Sequence, residues 1–251
     1  RVAAAWTVGE NGTTTLKASG GTGIKGPTFF ESYGVSFYAM GNPDLRPEKS
    51  VTFDAGVEQR LAGNRLRVEA TAFHHDYRDQ INFQVVDPAT FQGTFVNLGR
   101  TRAQGLELAA EAAPHPSVRL FAQYTYLDGV VKVSGDAFNA VYAEGRELLR
   151  RPKHQGSLTA TFGGSRVSGG ATLVLVGRRA DSDFANIGLT ENEGYARLDL
   201  RLRARIVPRL EAVVIAENVL DHDYQEVLGY PALGRSLRAG LRFRGGEARR
   251  P

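Results

Sequence analysis

The tightest constraint in this chain is the alternation at residues 196–206 (ARLDLRLRARI). Ala196, Leu198, Leu200, Leu202, Ala204 and Ile206 fall on one side of an extended backbone, and Arg197, Asp199, Arg201, Arg203 and Arg205 fall on the other. Successive side chains point to opposite faces in a β-strand, so the segment has one apolar face and one charged face. The closing run obeys the same rule, with Leu237, Ala239, Leu241 and Phe243 opposing Ser236, Arg238, Gly240, Arg242 and Arg244. No apolar stripe with a helical period runs for any length, which predicts an all-β chain.

Alternation alone does not say which face meets water, because a soluble antiparallel sheet also has one apolar face. The connections bear on that question. Eleven strands are predicted, at residues 2–9, 13–23, 50–61, 65–81, 95–112, 117–129, 152–162, 166–177, 194–206, 209–219 and 235–244. The connections at 10–12, 62–64, 113–116, 163–165 and 207–208 are tight, and those at 24–49, 82–94, 130–151, 178–193 and 220–234 are long. Short and long alternate along the chain, as in an up-and-down sheet with all turns on one edge and all loops on the other. Outer-membrane barrels have that layout, and a Greek-key sandwich does not impose it. Several predicted strands exceed the ~9–11 residues that cross a bilayer at a tilt. Tyr77, Phe83, Tyr124, Tyr126, Tyr224 and Tyr230 lie towards the long-loop ends and are expected to form an interfacial girdle, with ordinary strand packing as the competing reading. Single-chain bacterial barrels have even strand numbers, and an open edge facing lipid leaves backbone groups unsatisfied. Eleven strands therefore lead us to expect the C-terminal part of a larger barrel.

Composition removes other classes. Of the 31 basic residues only five are lysines, the arginines alternate along strands, and the net charge is +4. Nucleic-acid recognition needs a concentrated basic stripe, so no nucleic-acid partner is expected. The chain has no cysteine, which excludes disulfides and thiolate metal sites. No apolar run approaches the ~20 residues of a membrane helix.

The short motifs favour structural roles. Residues 21–26 spell G-x-G-x-x-G, but Pro27 follows and no helix is expected to open towards a pyrophosphate, so a glycine-rich strand end is the reading. In residues 42–48 (NPDLRPE) two prolines make a rigid lead-in to a strand, and the spacing of Asp44 and Glu48 matches no calcium loop. His74 and His75 are adjacent and so face opposite ways; His75 with a cross-strand partner, or His222, would be the weak metal candidates. No nucleophile elbow is present, so no catalytic residue, resident metal or cofactor is expected.

Residues 41–50 (GNPDLRPEKS) resemble the NPxLxPEKS motif of TonB-dependent outer-membrane receptors. Residues 73–81 (FHHDYRDQI), 97–107 (NLGRTRAQGLE), 148–154 (LLRRPKH) and 217–224 (ENVLDHDY) resemble further motifs of that family. So do residues 23–29 (GIKGPTF) and 229–236 (GYPALGRS), all in the family's order. Within it, LLRRPKH and the spacing from ENVLDHDY to GYPALGR are most similar to the cobalamin-receptor subfamily.

The resemblance implies a transmembrane antiparallel up-and-down β-barrel of about 22 strands. Residues 1–244 would supply roughly the last eleven strands and 245–251 a tail, with the plug domain and first barrel half lying outside the chain. It implies import of cobalamin or an iron chelate as a transported ligand. The expected partners are the TonB complex acting through the plug, outer-membrane lipid and lipopolysaccharide, and the barrel assembly machinery. A passive porin and a soluble all-β binding module are the rival readings. By the same resemblance Arg150 lies on the ligand side, whereas parity from Leu158, Ala160 and Phe162 sends Arg151 inward and Arg150 outward. A bulge at Pro152 would reverse that, so both arginines are ligand-binding candidates. Phe184 stands where a ligand-contacting aromatic would be, and Phe243 matches the terminal aromatic that serves as an assembly signal.

Overall fold

The computed structural model describes residues 1–9, 12–87, 89–134, 140–182 and 188–245. The chain runs β1 (Val2–Val8), β2 (Thr14–Lys25), a one-turn helix α1 (Phe29–Tyr33), β3 (Ala39–Met40), β4 (Glu48–Leu61), β5 (Leu66–Asp87), β6 (Gln92–His115) and β7 (Val118–Val133). After a 3₁₀ turn at Ala140–Tyr142 come β8 (His154–Gly163), β9 (Val167–Val176), β10 (Arg179–Ser182), β11 (Leu189–Asn192), β12 (Tyr195–Val207), β13 (Leu210–Glu217), β14 (Gln225–Val227), β15 (Tyr230–Pro231) and β16 (Ser236–Phe243).

Eleven of these strands form one antiparallel path, β1-β2-β4-β5-β6-β7-β8-β9-β12-β13-β16. They correspond one for one to the strands expected from alternation. The path does not close: β1 and β16 each have one neighbour in it and do not pair with each other. The remaining strands belong to the loops. β3 pairs in parallel with β6, while β10–β11 and β14–β15 are separate hairpins inside two of the long connections.

The expected loop at 82–94 is corrected by the structure. Pairing continues through Asn82↔Val96, Phe83↔Phe95 and Gln84↔Thr94 to Asp87↔Gln92, so only residues 88–91 connect the two strands. β-branched and aromatic residues carry the ladder upwards, and Phe83 and Phe95 meet edge-on with centroids 5.5 Å apart. The tight turns follow local chemistry. Ala62, Gly63 and Asn64 all take left-handed backbone angles, with φ of 51°, 63° and 68°, and Gly and Asn are the residues that adopt them most readily.

Cross-strand partners share a face, so the register assigns both sides of the wall. One row runs Trp6–Leu16–Val57–Ala70–Leu108–Tyr124–Gly156–Leu175–Ala196 across nine strands. The next row on the other face runs Thr7–Thr15–Glu58–Glu69–Ala109–Gln123–Ser157–Val174–Arg197. The apolar row begins near the tight-turn end of β1 and finishes at the long-loop end of β12, which is the stagger that strands tilted in a barrel require.

Burial is inverted relative to a soluble sheet. On the apolar face Phe53 is 59% exposed and Leu200 39%, whereas Glu58 and Glu211 on the polar face are 5% and 6% exposed. Among the described residues the buried apolar ones, Ala39, Val131, Val141 and Tyr195, sit at the long-loop end. A soluble domain does not leave an apolar face of this extent in water.

The expected girdle is only partly realised. Tyr124 and Tyr126 lie on the apolar face, where Tyr124 Oη is 2.7 Å from His154 Nδ1. Tyr77 pairs with Ser50 on the polar face, and Tyr224 stacks on Tyr195 in the loops. Trp6, Phe162 and Phe243 border the opposite rim, near the tight turns, which alternation alone did not bring out.

The close approach of β6 to its neighbours depends on Gly105. A Cβ there would collide with the backbone carbonyl oxygen of Tyr126 and with the Phe73 ring. Gly105→Ala is therefore expected to destabilise the wall by about 1–3 kcal/mol, the usual cost of overpacking. Heat-induced unfolding of the detergent-solubilised complete barrel measures it, and an unchanged midpoint would mean that β6 and β7 separate freely.

Candidate functional site at the long-loop end

Asp181, in β10, is fully buried and collects four donors. It accepts from Arg150 Nε (2.9 Å), Asn192 Nδ2 (3.2 Å) and the backbone amides of Ser182 and Leu228 (both 2.9 Å). These donors come from the loop before β8, from β11 and from the connection after β14, so one carboxylate ties three long connections together. Burial alone would raise the Asp181 pKa, but the Leu228 and Ser182 amides, the Arg150 guanidinium and the Asn192 amide together hold it below the usual carboxylate value.

Arg179 completes the cluster without a carboxylate. It is 4% exposed, and its guanidinium donates to the carbonyls of Gln225 (2.6 Å), Glu226 (2.9 Å) and Glu193 (3.3 Å). The cation also lies 5.9 Å from the centre of the Tyr195 ring. Tyr195 stacks on Tyr224 at 4.0 Å and donates its hydroxyl hydrogen to Glu226 Oε1 at 2.8 Å. The segment leading into β14 is set by Asn218, which is buried at φ 48°. Its side chain donates to the carbonyl of His222 (3.0 Å) and accepts from the His222 amide (3.2 Å). The ENVLDHDY motif is thus a turn held by its own asparagine.

The GNPDLRPEKS motif docks in the same structural manner. Asn42 donates to the Phe95 carbonyl (2.9 Å), Asn97 accepts from the Arg46 amide (2.9 Å), and Arg46 pairs with Asp79 at 2.6 Å. Glu48 accepts from the Ile81 amide at 2.9 Å. After the G-x-G-x-x-G run a helix does open, contrary to expectation. It has only five residues, and a capping box between Thr28 and Glu31 satisfies its first amides.

The sequence-derived candidates separate here. Arg150 has left-handed φ (58°) and donates its amide to the Ala180 carbonyl as well as its side chain to Asp181. β8 begins only at His154, so strand parity does not reach the arginine pair. Arg151 is exposed and makes no hydrogen bond or ion pair among the described residues. Phe184 lies outside the described residues. Phe243 ends β16 on the apolar face, opposite Leu210. His75 Nε2 sits 3.2 Å from Asp54 Oδ1 on the polar face, while His74 belongs to the other face. The hub residues Asp181, Arg179 and Asn192 had no motif to reveal them, since their partners are distant in sequence.

The polar face below this cluster carries charge unevenly. Lys17 bridges Glu58 (2.7 Å) and Glu69 (3.0 Å), and Ser19 donates to Asp54 at 2.9 Å. Across β12, β13 and β16 the balance is basic: Arg238 pairs with Glu217 at 2.6 Å and Arg244 with Glu211 at 3.4 Å. Arg201, Arg205 and Arg242 have no carboxylate partner among the described residues.

Because the folded pKa of Asp181 is depressed, its stabilising effect is present above the ordinary value of about 4 and is lost as pH falls through the lower folded value. Asp181→Asn should loosen the loops near neutral pH by about 1–3 kcal/mol of local stability, and the difference from wild type should shrink as pH falls through the folded value. Amide exchange at Ser182 and Leu228 reports both effects, and exchange unchanged by the substitution would show that the carboxylate is not the tie.

Residues 1–219 match the family model described as TonB dependent receptor-like, beta-barrel. Solved structures agree in fold. The ferric-catecholate import receptor Fiu of E. coli K12 superposes with a TM-score of 0.71 at 21% identity, over 96% of this chain and 34% of that one. The siderophore receptor PiuA from Acinetobacter baumannii gives 0.74 at 20% identity, over 96% of this chain and 35% of that one. The copper transporter OprC gives 0.74 at 19% identity, over 95% of this chain and 37% of that one. The chain therefore spans about a third of the length of the receptors it matches. With a matched model over residues 1–219 and an eleven-strand antiparallel wall of the same fold, the chain belongs to the TonB-dependent receptor-like β-barrel family.

Proposed function

We propose that this chain is the C-terminal wall of an outer-membrane receptor that imports a scarce metal chelate, a ferric siderophore or cobalamin, with energy supplied through TonB. The observation that carries the reading is the inverted wall: its apolar face is exposed along the strands, while Glu58 and Glu211 on its polar face are buried. An active receptor must hold a plug within the barrel, and the polar face suits that task. Arg201, Arg205 and Arg242 would meet acidic groups of a plug supplied by the rest of the receptor, while lipid covers Leu200, Leu202 and Val214. In this reading residues 1–244 form the wall, 245–251 a tail, and Phe243 is the residue that barrel assembly recognises.

The wall itself performs no chemistry, which fits a receptor and not an enzyme. Cargo capture would fall to the long loops, and the Asp181 cluster makes three of them a common body. Support for the cargo class comes from the ferric-catecholate, siderophore and copper functions of the matched receptors, and for cobalamin from the LLRRPKH resemblance. Arg151 is the more available cargo contact of the arginine pair, because Arg150 is committed to Asp181, and Phe184 is the aromatic candidate by the resemblance. A guanidinium fork suits the phosphodiester of cobalamin or the carboxylates of a siderophore.

Binding of cobalamin and of a panel of ferric siderophores to the complete receptor tests the reading. One of them should bind, and Arg151→Ala should weaken it by about 1.5–3 kcal/mol, roughly ten- to a hundredfold. Binding of none would overturn the cargo class.

A further inference from the structure

The apolar face changes character towards the long-loop end of β4, β5, β6 and β7. Its lower rows are apolar: Val57–Ala70–Leu108–Tyr124 and Ala55–Ala72–Leu106–Tyr126, the latter ending on His154. The next three rows on the same face are Phe53–His74–Gln104–Asp128, Val51–Asp76–Arg102–Val130 and Lys49–Arg78–Arg100–Val133. The switch occurs within one row, about 7 Å of strand, directly beyond the two tyrosines.

These polar rows hold more cations than their carboxylates can neutralise. Asp76 is shared by Arg100 Nε (2.8 Å) and Arg78 Nε (3.4 Å), and Asp128 accepts from Arg102 at 2.7 Å. Lys153, beside Asp128, is already paired with Glu147 at 2.6 Å. Lys49 is exposed and has no carboxylate partner among the described residues. The four cations Lys49, Arg78, Arg100 and Arg102 therefore face two aspartates, and the surplus falls on the two most exposed, Lys49 and Arg78.

We propose that this outer patch of β4–β7 binds the phosphate groups of an outer-leaflet lipid whose acyl chains lie along the apolar rows beneath it. The inference rests on the membrane-spanning reading of the wall and adds to it a fixed lipid site. Three features select this occupant over free anion. The cationic surplus points to anions; it stands on the lipid-covered face and not in the polar interior; and it lies on the long-loop side of the interfacial tyrosines, two and three rows beyond the Tyr126 row. Asp76 and Asp128 hold Arg100 and Arg102 extended across the sheet, so their forks are oriented before lipid arrives.

The test uses the complete receptor in mild detergent. It is titrated with phosphatidic acid, a phosphate monoester, and in parallel with phosphatidylcholine, and bound lipid is counted by native mass spectrometry. The wild type should prefer phosphatidic acid. Lys49→Gln combined with Arg78→Gln should weaken that binding roughly ten- to thirtyfold, since each surface cation contributes about a factor of five. This pair leaves Asp76 bonded to Arg100, so folding is preserved. Arg67→Gln combined with Arg119→Gln removes the same charge from the opposite face and should leave phosphatidic acid binding unchanged. Equal binding by wild type and the outer-face variant, absence of preference for the phosphate monoester, or displacement by excess inorganic phosphate would each overturn the proposal. None of these readouts involves cargo, so a failure here is distinguishable from failure of the transport reading.

Discussion

The structure depends on backbone hydrogen bonds that cannot be exchanged for water on the apolar side. A wall with leucines and alanines outside has no solvent there to satisfy an exposed amide or carbonyl, so each strand must be paired along its length. The uninterrupted ladder from β1 to β16 meets that requirement between neighbours. Everything else follows from the same condition. Along the middle of the strands side chains are sorted by parity, with apolar groups on one face and charges on the other, and the register cannot slip by one residue without exchanging the faces. Long-loop and tight-turn ends stay on opposite rims because consecutive strands are always antiparallel neighbours.

With charges on the inside, the wall has little apolar core, and ion pairs take over its internal organisation. Lys17 between Glu58 and Glu69, and Glu211 among Arg203 and Arg244, are cross-strand ties on the polar face. Among the described residues, buried apolar side chains occur only at the long-loop end. Three connections share one buried carboxylate, so they are held as a common body.

The strands were legible because parity is local. Residues 196–206 and 236–244 announce their two faces one residue at a time, and the eleven strands follow from such patterns. The ladder beyond Ile81 was legible too, since Gln80, Asn82 and Gln84 alternate with Ile81, Phe83 and Val85; the expected loop at 82–94 passed over that pattern, which Phe83 and Phe95 complete across strands. Other features lie outside any local pattern. Tyr77 and Tyr224 resemble girdle residues by position along the chain, but parity puts one inside and a loop contact takes the other. Arg150 was visible as a candidate through its motif. Its partner Asp181 was not, because the pair is joined only by the fold and Arg150's left-handed turn interrupts the parity count. The outer patch on β4–β7 required the register of four strands at once.

In a membrane-spanning wall the face carrying Leu198, Leu200 and Leu202 meets lipid, while the face carrying Asp199, Arg201 and Arg203 meets the barrel interior. The chain contains no cysteine, so single cysteines can be introduced along β12 and labelled with a nitroxide without background. In the complete receptor reconstituted in a bilayer, collision of the label with oxygen and with a water-soluble nickel chelate should alternate with period two from 197 to 205. Labels at 198, 200 and 202 should show high oxygen and low nickel accessibility, with the reverse ordering at 199, 201 and 203. A uniform profile, or one with the two sets exchanged, would contradict the account.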